Sequence, residues 1–172
     1  MKKILIPILI GLILGASACG YNFRGKQNNL PSDIRTVAIP VFENHTGELR
    51  IERIFTDEVI FQFTRSQMLR VTSQGQTDAV LKGIIKTVHA EDVSLTSQVT
   101  SRQRRLTVVV EAKLVRTSDN SVLWEDKELQ QYRIYTVSGG SIQATDSAKT
   151  LAMTELARSL AQTLHDRVFE NF

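Results

Sequence analysis

The chain has 172 residues, of which 21 are Lys or Arg and 18 Asp or Glu, and it contains a single cysteine. Its length suits one domain with a sizeable core. A formal net charge of only +3 argues against a general nucleic-acid binder, and a lone cysteine leaves no partner for an internal disulfide.

Lys2 and Lys3 open the chain and the apolar run Ile4 to Leu14 follows. Small residues Gly15-Ala16-Ser17-Ala18 then lead to Cys19. A positive end, a short apolar stretch and a small-residue exit form a secretory signal peptide. The run falls short of the roughly 20 apolar residues of a spanning helix. Ala16-Ser17-Ala18-Cys19 resembles a bacterial lipobox, with Ala16 where Leu is usual. The expectation is cleavage before Cys19 and lipid on its thiol, since two or more acyl chains anchor stably. The alternative is an ordinary signal cut after Ala18. Gly20, rather than Asp, follows the cysteine, and the sorting rule implied by the resemblance then favours the outer membrane. Removing residues 1–18 takes Lys2 and Lys3 with it, leaving 154 residues with 19 basic and 18 acidic side chains and a net charge of +1.

Residues 19–33 are polar and read as a tether, ahead of one domain over 34–172. Thr36 to Phe42 reads as a strand, with Pro40 marking an edge or an early end. Glu43 to Gly47 is a turn in which Thr46 is a candidate cap. Ile51, Ile54, Phe55, Val59 and Phe63 recur at helical spacing within a helix from Glu48 to about Met68, interrupted at Gln62. Leu69 to Ser73 is a short extended piece. Asp78 to His89 reads as a strand with Val80, Ile84 and Val88 on one side and Leu81 and Ile85 on the other. A long polar loop, Glu91 to Ser101, leads to the clearest strand, Arg105 to Arg116. There Leu106, Val108, Val110, Ala112 and Leu114 alternate with the intervening residues. Ser118-Asp119-Asn120-Ser121 is a hairpin turn before a last strand, Val122 to about Tyr135. Ser138-Gly139-Gly140-Ser141 is a flexible break. Asp146 to Phe169 is an amphipathic helix whose stripe is Ala148, Ala152, Leu156, Leu160, Leu164 and Val168, widened by Leu151. This order predicts an α+β two-layer sandwich, two helices packed on one face of a four-stranded, mainly antiparallel sheet.

Chemistry-bearing motifs are sparse. His45, His89 and His165 lack metal-ligand spacing, so surface or capping roles are expected and no metal site. Ser138-Gly139-Gly140-Ser141 is neither a nucleophile elbow nor a phosphate loop. Glu125, Asp126 and Glu128 with Lys127 read as a solvated face. No catalytic residue and no cofactor is expected. One cluster stands out at the entry to the central strand, Arg102, Arg104 and Arg105, in a stretch free of acidic residues between Asp92 and Glu111. Alternation puts Arg102 and Arg104 on one face and Arg105 on the other. Two readings remain open: a solubilising strand end paired with Glu125 or Glu128, or a site for anions or lipid headgroups, which arginine forks fit bidentately.

Cys19-Gly20-Tyr21-Asn22-Phe23-Arg24-Gly25, then Leu30-Pro31, then Val37-Ala38-Ile39-Pro40-Val41-Phe42-Glu43-Asn44-His45-Thr46 leading into a helix with Glu52, Thr56 and Asp57, resemble the LptE family of lipopolysaccharide-assembly lipoproteins. The resemblance implies an outer-membrane protein without bond-making chemistry. It would plug the large β-barrel translocon LptD, help that barrel fold, and bind lipopolysaccharide on its way to the outer leaflet. It also implies that basic side chains near strand–loop junctions take part in binding, a position comparable to that of Arg102 with Arg104 and Arg105. A generic structural or scaffolding envelope lipoprotein without a lipid ligand is the competing expectation.

Overall fold

A computed structural model describes residues 30–73, 75, 77–93, 101–138 and 141–170, with the side chains of 101, 102 and 138 excepted. The signal segment, Cys19, most of the expected tether, residues 94–100 of the long loop and Gly139-Gly140 lie outside the described residues. In chain order the elements are β1 (Thr36–Ala38), β2 (Glu43–Asn44), α1 (Ile51–Ser66), β3 (Arg70–Thr72), β4 (Ala79–Asp92), β5 (Ser101–Arg116), β6 (Val122–Ser138) and α2 (Ile142–Glu170).

The class is α+β with two helices, but the sheet differs from the expected one. Among the described residues it has six strands in the order β3-β1-β4-β5-β6, with β2 also beside β4. It is mixed: β1 runs parallel to β3 and to β4, and β2 runs parallel to β4, whereas β4, β5 and β6 form an antiparallel meander. The reason lies in α1, which carries the chain across the sheet between β1 and β3, the connection that parallel neighbours require. At three and two residues, β3 and β2 are too short to show alternation, so the sequence displays them as an extended piece and a turn.

The meander follows its sequence pattern closely. Leu106, Val108, Val110, Ala112 and Leu114 are all at most 1% exposed. On β4 the buried set is Ala79, Leu81, Gly83 and Ile85. Beyond it, Val88 departs from the expected grouping with Val80 and Ile84, because the register shifts between Ile85 and Thr87. One extra residue reverses the alternation, and Val88, opposite Val108, packs against the core instead.

Both helices close the same face. Ile51, Phe55, Val59 and Phe63 of α1 are buried as expected, and α2 buries Ala152, Leu156, Leu160, Leu164 and Val168. Leu151 does not widen the stripe; it is 62% exposed. His165 is not at the surface. It is buried against Phe63 (ring centroids 5.3 Å) and Phe169 (4.7 Å), where the ends of the two helices meet. Fully burying one such phenylalanine contributes about 1.5–3 kcal/mol.

The turn into α1 explains the Ile-Pro-x-Phe-x-Asn-x-Thr stretch. The Phe42 ring lies so close over Gly83 that a Cβ there would sit 2.3 Å from it. The Phe42 amide donates to Thr56 Oγ1 (2.9 Å), which itself donates to the Glu52 carbonyl (2.6 Å). Asn44 Oδ1 accepts from the amide and hydroxyl of Thr46, and its Nδ2 donates to the Glu48 carbonyl and to Glu52. Thr46 therefore braces the turn rather than capping the helix: α1 starts at Ile51 after Arg50, whose φ is 65°, and it has no side-chain cap. At the opposite end of the sheet, Asp78 ties β1 to β4. Its carboxylate accepts from the Arg35 and Thr36 amides and the Thr36 hydroxyl at 2.8–3.0 Å. Those hydrogen bonds, the Thr36 hydroxyl foremost, hold its pKa below the usual aspartate value.

Candidate anion-binding end of the sheet

β4 and β5 stay paired to Asp92 and Arg104, with Glu91 opposite Arg105 and Asp92 opposite Arg104, while β6 flanks β5 on its other side. The antiparallel register thus sets an Asp-Glu pair against an Arg-Arg pair. Arg104 Nε lies 2.9 Å from Asp92 Oδ1, and Arg105 Nη1 lies 3.1 Å from Glu91 Oε1. These are the ion partners that sequence reasoning missed. It looked to Glu125 and Glu128, but Glu125 lies beside Lys127 at 3.6 Å. The signal was present: folding the hairpin about the loop brings Glu91-Asp92 and Arg104-Arg105 together.

Alternation holds for the two arginines described in full. Arg104 lies opposite Tyr135, which is buried on the helix-covered face, and Arg105 lies opposite Ile134 on the open face. The Arg105 guanidinium sits 5.3 Å from the Tyr132 ring centroid, a cation–π distance. Its Nε is buried without a hydrogen-bond partner among the described residues. Arg102 lies in β5 opposite Val137, and its side chain is outside the described residues. The structure therefore brings Arg104 and Arg105 to one end of the sheet but onto opposite faces.

Both ion pairs are close to half exposed. Pairs of that kind contribute only about 0.2–1 kcal/mol, so an incoming phosphate or carboxylate competes with Glu91 or Asp92 on nearly equal terms. Beside Arg105, Tyr132 (60% exposed) and Ile134 (43% exposed) supply apolar surface. The arrangement can hold an amphiphilic anion and offers no nucleophile–base pair at this position. No helix among the described residues is long and apolar enough to cross a membrane.

A family model described as LptE, lipopolysaccharide-assembly, matches residues 34–168. Solved structures of similar fold include a minor lipoprotein from Acinetobacter baumannii, at 13% identity and a TM-score of 0.53, covering 82% of this chain and 95% of that one. Uncharacterized lipoprotein B from Nitrosomonas europaea matches at 18% identity and 0.52, covering 87% and 90%. A hypothetical protein from Chlamydia trachomatis matches at 11% identity and 0.51, covering 80% and 99%. At these identities the likeness is one of fold. No curated protein matches the sequence.

Proposed function

The chain belongs to the LptE family of lipopolysaccharide-assembly proteins, and from that membership we propose that it is an outer-membrane lipoprotein, anchored through Cys19, that plugs and helps assemble the lipopolysaccharide-translocating β-barrel LptD and binds lipopolysaccharide during its insertion into the outer leaflet. The family match over residues 34–168 carries the reading. Two features of the fold support it. One face of the sheet is left free of helices and is largely polar, as suits a plug in a polar barrel lumen. The arginine end offers guanidinium forks beside exposed Tyr132 and Ile134, which suits a ligand with phosphates next to hydrocarbon. No bond-making step is assigned to the protein.

A second reading, an envelope scaffold with no lipid ligand, is favoured by one observation: Arg104 and Arg105 already have carboxylate partners. The experiment that separates the two replaces Arg102, Arg104 and Arg105 with Gln, then measures lipopolysaccharide binding and copurification with the barrel. Loss of binding with retained copurification supports the ligand role. Unchanged binding and normal assembly leave only a solubilising strand end. Cys19→Ala reports on the anchor, with partial membrane retention expected because protein contacts to the barrel remain.

A further inference from the structure

The open face of the sheet carries a second group of basic side chains, far along the strands from Arg104 and Arg105. Lys82 of β4 and Lys113 of β5 are direct cross-strand partners, which brings their Cβ atoms to within about 4.5–5.5 Å of each other. Like charges in that relation destabilise a sheet. Among the described residues neither lysine has an ion-pair partner within 4.0 Å, although Glu125 lies opposite Lys113 on β6. Three nearby carboxylates are engaged elsewhere: Glu111 lies 3.5 Å from Lys86, Glu125 lies 3.6 Å from Lys127, and Glu43 lies 3.4 Å from His45.

Two irregularities add to the crowding. The β4–β5 register shifts between Ile85 and Thr87, and the β5–β6 register shifts between Val110 and Ala112. Both fall at the same level of the sheet. The first inserts Lys86, and the second sets Glu111 against Lys127 and Glu128. Lys86 Nζ reaches both Glu111 and the Lys127 carbonyl, each at 3.5 Å. Bulges re-aim side chains, and these two involve Lys86 of β4 and Lys127 of β6, on the sheet that also carries the Lys82–Lys113 pair. Half-buried Val80, Ile84 and Val115 flank the Lys82–Lys113 pair, reducing the water that screens it.

We propose that Lys82 and Lys113, assisted by Lys86 and Lys127, form a seat for a phosphate-type anion, separate from the arginine end of the sheet. A phosphoryl group bridging Lys82 and Lys113 turns their mutual repulsion into two charge-assisted hydrogen bonds. Such a group comes either from a lipid headgroup or from a free phosphate.

The test titrates inorganic pyrophosphate into the full chain in neutral detergent, by calorimetry and by thermal shift. Lys82→Gln with Lys113→Gln is expected to weaken binding about tenfold or more, the equivalent of losing one or two such contacts. Arg158→Gln, which removes an exposed basic group from the helix side of the molecule, is expected to leave it within about twofold. Lys82→Glu guards against a folding artefact. It sets opposite charges face to face, so its melting temperature without ligand should rise while pyrophosphate binding is lost. Adding phosphatidylglycerol to the micelles distinguishes the sources. Displacement of pyrophosphate assigns a headgroup, and undisturbed binding assigns a free phosphate. Equal affinity in the wild type and the lysine variants overturns the seat, as does the absence of any pyrophosphate or phosphatidylglycerol binding. Loss on Arg104→Gln with Arg105→Gln but not in the lysine variants also overturns it, by moving the site to the other end of the sheet.

Discussion

Gly83→Ala is the sharpest probe of how the LptE-type motif shapes this fold. An alanine Cβ at this position would fall 2.3, 2.4 and 2.5 Å from three atoms of the Phe42 ring. Ordinary contact begins about 1 Å farther out, so the ring must shift by about that much in a close-packed core. It has little freedom to do so. Phe42 is 2% exposed, and its amide is fixed to Thr56 Oγ1 at 2.9 Å. Overpacking of this kind costs about 1–3 kcal/mol. Because three ring atoms are involved, the expected loss is near the upper end, even after the roughly 0.4–1 kcal/mol gained by restricting the unfolded chain. Phe42→Ala alone leaves a cavity and should cost about 3–5 kcal/mol. In the double variant the new methyl enters that cavity, so the combined loss should fall below the sum of the single losses by about 2 kcal/mol. Urea denaturation of the four proteins in one buffer, followed by circular dichroism, gives the cycle. A Gly83→Ala variant as stable as the wild type, or losses that simply add, would refute the reasoning.

Thr56→Val keeps the shape of that buried side chain but removes the acceptor for the Phe42 amide. A loss of about 1–3 kcal/mol is expected in the same assay, without the m-value change that a disordered turn would bring. Asp78→Asn weakens three hydrogen bonds to a half-exposed carboxylate, so about 1–2 kcal/mol is expected at pH 7. Because the folded pKa of Asp78 is depressed, its contribution is complete above the unfolded value of about 3.9 and fades as pH falls through the folded one. Stability measured from pH 6 to pH 2 should therefore fall less steeply in the Asn variant, and parallel curves would contradict this role.

The parts of the fold that the sequence displays are those with long, regular periods. The β5 alternation and the α2 stripe each span several repeats, and their apolar positions are buried nearly one for one. The misses share a cause, a local exception that only tertiary pairing reveals. Lys86 is an ordinary residue, yet its insertion opposite β5 moves Val88 to the core side. β2 becomes a strand only because the chain beyond Pro40 runs parallel to β4. Leu151 looks core-facing by spacing but lies on the exposed side of α2. His165 carries a polar ring, and only the meeting of Phe63 with Phe169 makes a buried place for it. At the arginine end, composition showed the basic cluster but not its neutralisation, because Glu91 and Asp92 are remote from it in sequence and adjacent only through the hairpin.

That neutralisation permits a discriminating test of the proposed ligand role. If Arg104 and Arg105 receive anionic groups of lipopolysaccharide, Glu91 and Asp92 compete with the ligand, and binding is an exchange of partners. Each existing pair is exposed and contributes only about 0.2–1 kcal/mol, so removing the carboxylates should scarcely affect the fold. It should free both guanidinium groups, with Arg105 still held over Tyr132. Glu91→Gln with Asp92→Asn is therefore expected to shift the melting temperature by only a few degrees and to strengthen lipopolysaccharide binding severalfold. Most of that gain should disappear at high salt. If the arginines serve only to keep the strand end soluble, the double variant will bind lipopolysaccharide as the wild type does. Because Arg104 and Arg105 lie on opposite faces, the single variants should also differ. The open-face change, Glu91→Gln, should account for more of the gain, because Arg105 sits over the exposed Tyr132 ring and beside exposed Ile134.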